Sequence, residues 1–187
     1  MRRSFILIAT TLLTLGLTGV LAPAAGARTS CPVLPWGSLP EVSGTMAAEP
    51  VADVRTGRHP CFDRVVFDLA GGGPHAWRVR YVDTVTQHGS GFAHPVRGGA
   101  RLDVVLGHPV HDWSDGGRLV FPHASGSIAD VRGYDTLRDV QFVGSFEGLT
   151  HFAVGTRARL PYRVFVLDGP GAISRIVLDV AHRWHAW

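Results

Sequence analysis

One strand pattern occurs twice along the chain. Arg64-Val65-Val66-Phe67-Asp68-Leu69 and Arg175-Ile176-Val177-Leu178-Asp179-Val180 both read arginine, aliphatic, valine, large apolar, aspartate, aliphatic. In extended backbone alternate side chains share a face. Val65, Phe67 and Leu69 therefore line one face of the first copy, and Ile176, Leu178 and Val180 one face of the second. The opposite faces carry Arg64, Val66 and Asp68, and Arg175, Val177 and Asp179. An apolar face backed by a half-polar one suits a layer of an antiparallel sandwich. Arginine and aspartate stand about 13 Å apart along each copy, too far to pair within it. The copies can serve each other only if they are adjacent and antiparallel. Otherwise Arg55, Arg78, Arg80 or Arg163 must supply the cation for the aspartates. Arg64, Asp68, Arg175 and Asp179 are thus expected to be structural.

The same period of two recurs between turn signals. Residues 51–56 alternate, and Gly57-Arg58-His59-Pro60 turns the chain into the first copy. After the turn Ala70-Gly71-Gly72-Gly73-Pro74, Trp77, Val79 and Tyr81 face one way and Arg78 and Arg80 the other. Trp77 and Tyr81 are read as core residues. Residues 87–99 read as a polar, Gly-rich loop, and 101–106 as a strand with Leu102, Val104 and Leu106 inward. Residues 107–138 are the least regular, a long excursion predicted to hold one short strand at 119–121 and a helical turn near 134–138. Four strands follow at 140–144, 150–155, 162–167 and 175–181, separated by turns at Gly148, Arg159-Leu160-Pro161 and Gly169-Pro170-Gly171. No helical period lasts ten residues. The pattern predicts an all-β chain, an antiparallel β-sandwich of about eight short strands.

The N-terminus follows a different logic. A basic start, Met1-Arg2-Arg3-Ser4, precedes an apolar run over residues 5–21 and a small-residue site, Ala25-Gly26-Ala27. This is the layout of a secretory signal peptide over 1–27, cleaved after Ala27, rather than a membrane anchor. Arg2-Arg3-Ser4-Phe5-Ile6 also has a faint twin-arginine character, so the export route stays open. Residues 28–50, rich in Pro, Gly, Ser and Ala, read as an extension lying on the domain, with Trp36 and Leu39 as its large anchors. The sandwich itself is placed over 51–184. No membrane span is expected after signal cleavage, and a monomer is expected.

Charge narrows the partners. The whole chain has a pI of about 9.4, but two of its 18 basic residues are Arg2 and Arg3, leaving 16 arginines against 15 acids, a net +1. That balance argues against nucleic acid and against an anionic membrane. The absence of Lys and Asn reads as codon bias, and the missing Asn rules out an Asn-linked glycosylation site. Cys31 and Cys61 are the only cysteines. In an exported chain a single disulfide is the expected state, with lipidation of Cys31 as the alternative.

The ordered set Arg55-Thr56-Gly57-Arg58-His59, Asp63-Arg64-Val65-Val66-Phe67-Asp68, Tyr81-Val82-Asp83, Gly89-Ser90-Gly91, Gly144-Ser145-Phe146-Glu147-Gly148, Arg163-Val164 and Val177-Leu178-Asp179-Val180-Ala181-His182 resembles the AMIN-like domain family of exported bacterial proteins. That family is distantly related to the AMIN domain of cell-wall amidases. The resemblance runs over about 51–184 and does not extend to the His- and Gly-rich residues 107–125. It implies a small β-sandwich and a non-catalytic module that binds peptidoglycan or another envelope component.

His108-Pro109-Val110-His111-Asp112 offers two imidazoles and a carboxylate for zinc or copper, but no third ligand at a fixed spacing, so loop histidines are the simpler reading and no cofactor is expected. Gly144-Ser145-Phe146-Glu147-Gly148 has the glycines of a nucleophile elbow with Phe146 where the serine should be. Ser90, near His88 and His94, is a matter of composition rather than a triad. Glu147 is the one glutamate of 51–184, placed at a bend where it could accept from Arg157 or Arg163 or touch a ligand. Trp113 and Trp184 are candidates to stack on sugar rings, though Trp184 could instead cover a sheet edge; Trp187 reads as a disordered end. The expected function is binding of a cell-wall glycan or an envelope protein, the latter by pairing an exposed strand edge. A secreted hydrolase or a metal-binding protein is the weaker alternative.

Overall fold

The computed structural model describes residues 31–171 and 173–184. The leader expected over 1–27, its cleavage after Ala27, and Trp187 lie outside them. In chain order the strands are β1 (Glu41–Ser43), β2 (Val51–Arg58), β3 (Phe62–Leu69), β4 (Trp77–Val82), β5 (Val85–Thr86), β6 (Ala93–His94), β7 (Ala100–Leu106), β8 (His111–Asp112), β9 (Arg118–Leu119), β10 (Gly126–Ser127), β11 (Leu137–Phe146), β12 (Leu149–Thr156), β13 (Tyr162–Asp168) and β14 (Ser174–Ala181). Four of them form one antiparallel sheet in the order β13-β14-β3-β2, and six another in the order β1-β4-β7-β12-β11-β10. β5 with β6, and β8 with β9, make two short hairpins outside both sheets. The count exceeds eight because two-residue strands leave no periodic trace in a sequence.

The two sheets pack face to face. The inward positions of the repeated strand, Val65, Phe67 and Leu69 on β3 and Ile176, Leu178 and Val180 on β14, are buried against Leu102, Val104, Phe152 and Val154 of the larger sheet. Phe67 meets Phe152 across the interface with ring centroids 4.9 Å apart. Each such aromatic ring removes 150–250 Å² of apolar surface from water. Trp77 and Tyr81 pack against the same cluster, as the alternation of β4 predicts.

The excursion differs from expectation in detail. The helical turn lies at Trp113–Asp115, not near 134–138, where β11 already begins at Leu137. The reason is Asp63. Its buried carboxylate accepts from the backbone N–H of Thr136 at 2.6 Å and of Leu137 at 3.0 Å. These bonds hold the chain extended and drop Leu137 into the core. The strand expected at 119–121 is only Arg118–Leu119. Phe121 instead leaves the ladder and fills the core beside Phe142 and Phe152. The loop expected over 87–99 holds β6, which pairs with β5 just before it, and this hairpin lays Val85 and Val96 over Val143 and Ala153 on the outer face of the larger sheet.

The N-terminal extension is tied in at three places. Cys31 and Cys61 form the expected disulfide, with Cα atoms 5.4 Å apart. β1 adds to the edge of β4, and Gly37 bridges Tyr162 at the start of β13. Tyr162 is buried with its hydroxyl 2.5 Å from the Leu39 carbonyl and 2.8 Å from that of Val79, and burial pushes its pKa far up. Leu39 therefore contributes backbone rather than an anchor; its side chain is 75% exposed.

Candidate functional site

The two copies of the repeated strand are neighbours and antiparallel. β14 pairs with β3 so that Arg175 stands opposite Asp68, Val177 opposite Val66, and Asp179 opposite Arg64. β13 adds Arg163 opposite Asp179, Phe165 opposite Val177 and Leu167 opposite Arg175. β2 adds Gly57 opposite Arg64 and Arg55 opposite Val66. The outer face of the four-stranded sheet is thus a lattice of three rows.

The first row reads Arg163, Asp179, Arg64. Asp179 is fully buried and accepts from Arg64 at 2.6 and 3.0 Å and from Arg163 at 2.8 and 3.0 Å. Trp36 of the extension caps this row, with the Arg163 guanidinium 4.4 Å from its ring and 4.5 Å from that of Phe165. The third row is looser. Asp68 takes a two-pronged contact from Arg55 at 2.5 and 2.7 Å, with Arg175 at 3.9 Å. The hydrogen bond to Asp68 is the main reason the Arg55 pKa rises. Between the rows the half-buried Val66, with Val177 fully buried beside it, floors a shallow groove of about 260 Å³ walled by Arg55, Arg64, Arg175 and Leu167. Arg55, Arg64, Arg163 and Arg175 face Asp68, Asp179 and, opposite Asp68 on β2, Asp53, so this lattice carries a local excess of one positive charge.

The other sequence candidates are scattered. Trp113 sits in the helical turn, 69% exposed, with its ring 5.7 Å from that of His111. Trp184 follows β14 at the opposite end of the sandwich, half exposed, its indole N–H donating to the Arg159 carbonyl at 3.0 Å. The two rings cannot form one platform. Glu147 occupies the two-residue turn between β11 and β12 with φ +51°, followed by Gly148 at φ +78°, the left-handed pair of a tight hairpin. Its carboxylate does not meet Arg157 or Arg163. Arg163 belongs to the Asp179 row, and Arg157 donates to the His182 carbonyl. Ser145 donates to the Leu149 carbonyl across the same hairpin, and Ser90 to Gln87.

The histidines are also divided. His108 is fully buried, Nδ1 against the Glu49 carbonyl at 2.9 Å, and its ring lies near His75 rather than His111, which is in β8. Among the described residues no group of three His, Cys, Asp or Glu is arranged to hold a metal. Periodicity alone missed a second polar cluster on the outer face of the larger sheet. There Asp103 accepts from buried His151 at 2.6 Å and from Arg80 at 3.3 Å, and His88 stacks on His151 at 4.4 Å. The only sequence signal was that Asp103 alternates out of phase with Leu102 and Val104; the hairpin that covers it has no period.

Burial lowers the pKa of His108, and burial followed by the neighbouring His151 lowers that of His88. A histidine held below its unfolded pKa of about 6.5 is neutral in the fold, so the unfolded chain takes up the proton first on acidification. The stability it contributes is present above about pH 6.5 and lost as the pH falls below it. His108→Gln should flatten the decline of melting temperature between pH 7.5 and 5.5. Parallel pH profiles of the two proteins would contradict this assignment.

No curated protein and no solved structure matches the chain. No helix among the described residues is long and apolar enough to cross a membrane. A family model, that of the AMIN-like domain, matches residues 49–182, which takes in both sheets except β1, and the 107–125 stretch. That match and the Cys31–Cys61 disulfide agree with an exported, envelope-associated protein. The chain belongs to the AMIN-like domain family.

Proposed function

We propose that the chain is a non-catalytic module that binds the bacterial cell wall, with peptidoglycan or an associated glycan as ligand. The observation that carries this reading is the outer face of the four-stranded sheet, a shallow groove whose apolar floor is the half-buried Val66, with Val177 fully buried beneath, fenced by arginines held in place by aspartates. Aliphatic floor suits the C–H face of a sugar ring, and guanidinium forks suit hydroxyls and carboxylates. Asp68 and Asp179 act as positioning residues in this scheme. The Trp184 ring, fixed through its N–H, is a second surface on which a sugar could stack.

Sedimentation with purified sacculi tests the reading. Binding should weaken about tenfold in Arg175→Ala, which removes a groove wall, and less in Trp184→Ala. Equal sedimentation of wild type and both variants would remove these surfaces from the site. Capture only in the presence of other envelope proteins would favour pairing at the outer edge of β2, an eight-residue strand at the end of its sheet.

A further inference from the structure

The excursion carries a concavity that the sheet-face reading does not use. It is a cleft of about 740 Å³ whose walls include Arg97, Ile128, Asp130, Val131, Arg132 and Arg138. Ile128 and Val131 make an apolar side, and the three arginines a basic one. At the rim Arg58 donates to the Gly133 carbonyl at 3.0 Å.

The arginines differ in how they are neutralised. Arg132 grips Asp130, whose pKa falls to about 2 because of the hydrogen bonds from that guanidinium and from the Arg132 backbone. Arg97 reaches Asp139, a buried carboxylate that also accepts from Ser127 and Gln141. Arg138 has no carboxylate within ion-pair distance among the described residues. Its Nη1 instead donates to the carbonyls of Tyr134 at 2.9 Å and Leu137 at 2.8 Å, and its Nη2 to that of Asp135 at 3.2 Å. A guanidinium has five N–H donors. Three are engaged, so Nε–H and one Nη2–H stay unused on a cation already fixed in direction. Arg58 is likewise held by a carbonyl alone. Four arginines here face two carboxylates, an excess of two charges in a chain whose net charge beyond residue 27 is +1.

We propose that this cleft binds the oxyanion of an acidic sugar, the carboxylate or phosphate seating on Arg138 and Arg132 and the ring against Ile128 and Val131. The volume fits a mono- or disaccharide. The source of the sugar in the cell wall rests on the reading above, whereas the chemistry of the cleft does not.

The test is calorimetric titration of the purified protein with N-acetylmuramic acid, N-acetylglucosamine 1-phosphate, neutral N-acetylglucosamine and inorganic phosphate. Binding of either acidic sugar, with none of the neutral one, is expected; which acid binds names the source. Arg138→Gln should weaken that binding about tenfold, and Arg132→Gln by a smaller factor. Arg138→Lys, which keeps the charge and loses the fork, should fall between wild type and Arg138→Gln. Arg118→Gln, at an exposed arginine paired with Asp115 that lines neither the groove nor the cleft, should leave it unchanged. Equal binding of the neutral sugar, phosphate bound as tightly as the sugars, or acidic-sugar binding lost in Arg175→Ala but kept in Arg132→Gln would each overturn the proposal. Acidic sugars bound in the cleft while sacculi fail to sediment the protein would sink the cell-wall reading and leave the cleft. Sacculi bound with no acidic-sugar binding would do the reverse.

Discussion

Asp179→Ala lowers the melting temperature by roughly 6–12 °C, the shift expected for about 3 kcal/mol in a domain of this size. The carboxylate is fully buried and receives four guanidinium hydrogen bonds. Removing one partner of a buried pair costs about 3–5 kcal/mol, because the remaining charges are left without compensation. Arg64 and Arg163 both reach solvent, which places the loss at the lower end of that range. Asp68→Ala makes the contrast. Its partner Arg55 is half exposed and Arg175 stands at 3.9 Å, so the loss should be about 1 kcal/mol or less. The two aspartates occupy equivalent places in the repeated strand, so composition and local sequence cannot account for the difference. The extension does, by covering the Asp179 row with Trp36 and leaving the Asp68 row open. Thermal unfolding of the two variants, each paired with sacculus sedimentation, checks both halves. Unchanged stability with lost binding would transfer these residues from the scaffold to the binding surface.

The repeated strand was the most legible part of the chain because it obeys two constraints at once. Its period of two assigned the inward face of β3 and β14 correctly, and its charges called for partners on neighbouring strands, each copy serving the other only if the two were adjacent and antiparallel. The antiparallel pairing of Asp179 with Arg64 is the first of those alternatives. Arg55 and Arg163, named only as possible cations, turn out to serve Asp68 and Asp179 together with the copies themselves. What could not be read was anything set by irregular backbone. The turn expected near 134–138 gave way to a strand because a carboxylate 73 residues away, Asp63, captures the Thr136 amide. The cleft arginines are the same case. Nothing in the spacing of Arg97, Arg132 and Arg138 marks them as neighbours, since their meeting depends on a non-periodic loop folding back on the sheet. The missing partner of Glu147 has a related reason. A lone glutamate at a bend could be expected to accept from Arg157 or Arg163, yet the hairpin needs two left-handed residues there and turns the side chain out to solvent, while both arginines are engaged elsewhere.

Loss of the Cys31–Cys61 disulfide should rank with Asp179→Ala in its effect on stability and exceed it in its effect on the N-terminal extension. The bridge spans a sequence separation of 30, for which the chain-entropy relation gives roughly 3–4 kcal/mol. Its structural reach is longer than that figure suggests. Ahead of β1, the extension is held by the Gly37–Tyr162 bridge, the hydrogen bonds of Arg159 to Ser38, and Trp36 against Arg163 and Phe62. Apart from the bridge to the buried Tyr162, whose hydroxyl also meets the Leu39 carbonyl, these are exposed or half-exposed contacts, worth little alone once the covalent tie is gone. In the Cys31→Ser, Cys61→Ser double variant, protease cleavage within residues 31–40 should therefore precede global unfolding, and Trp36 should leave the Arg163 row. The Asp179 row would then face water, and Asp179→Ala in that background should cost less than it does in the bridged protein. A double-mutant cycle on thermal stability reads this coupling directly. Additive losses would mean that Trp36 holds its place over Arg163 without the bridge. Two free thiols in the protein recovered from the medium would show that the bond is not formed at all, which non-reducing mass spectrometry decides first.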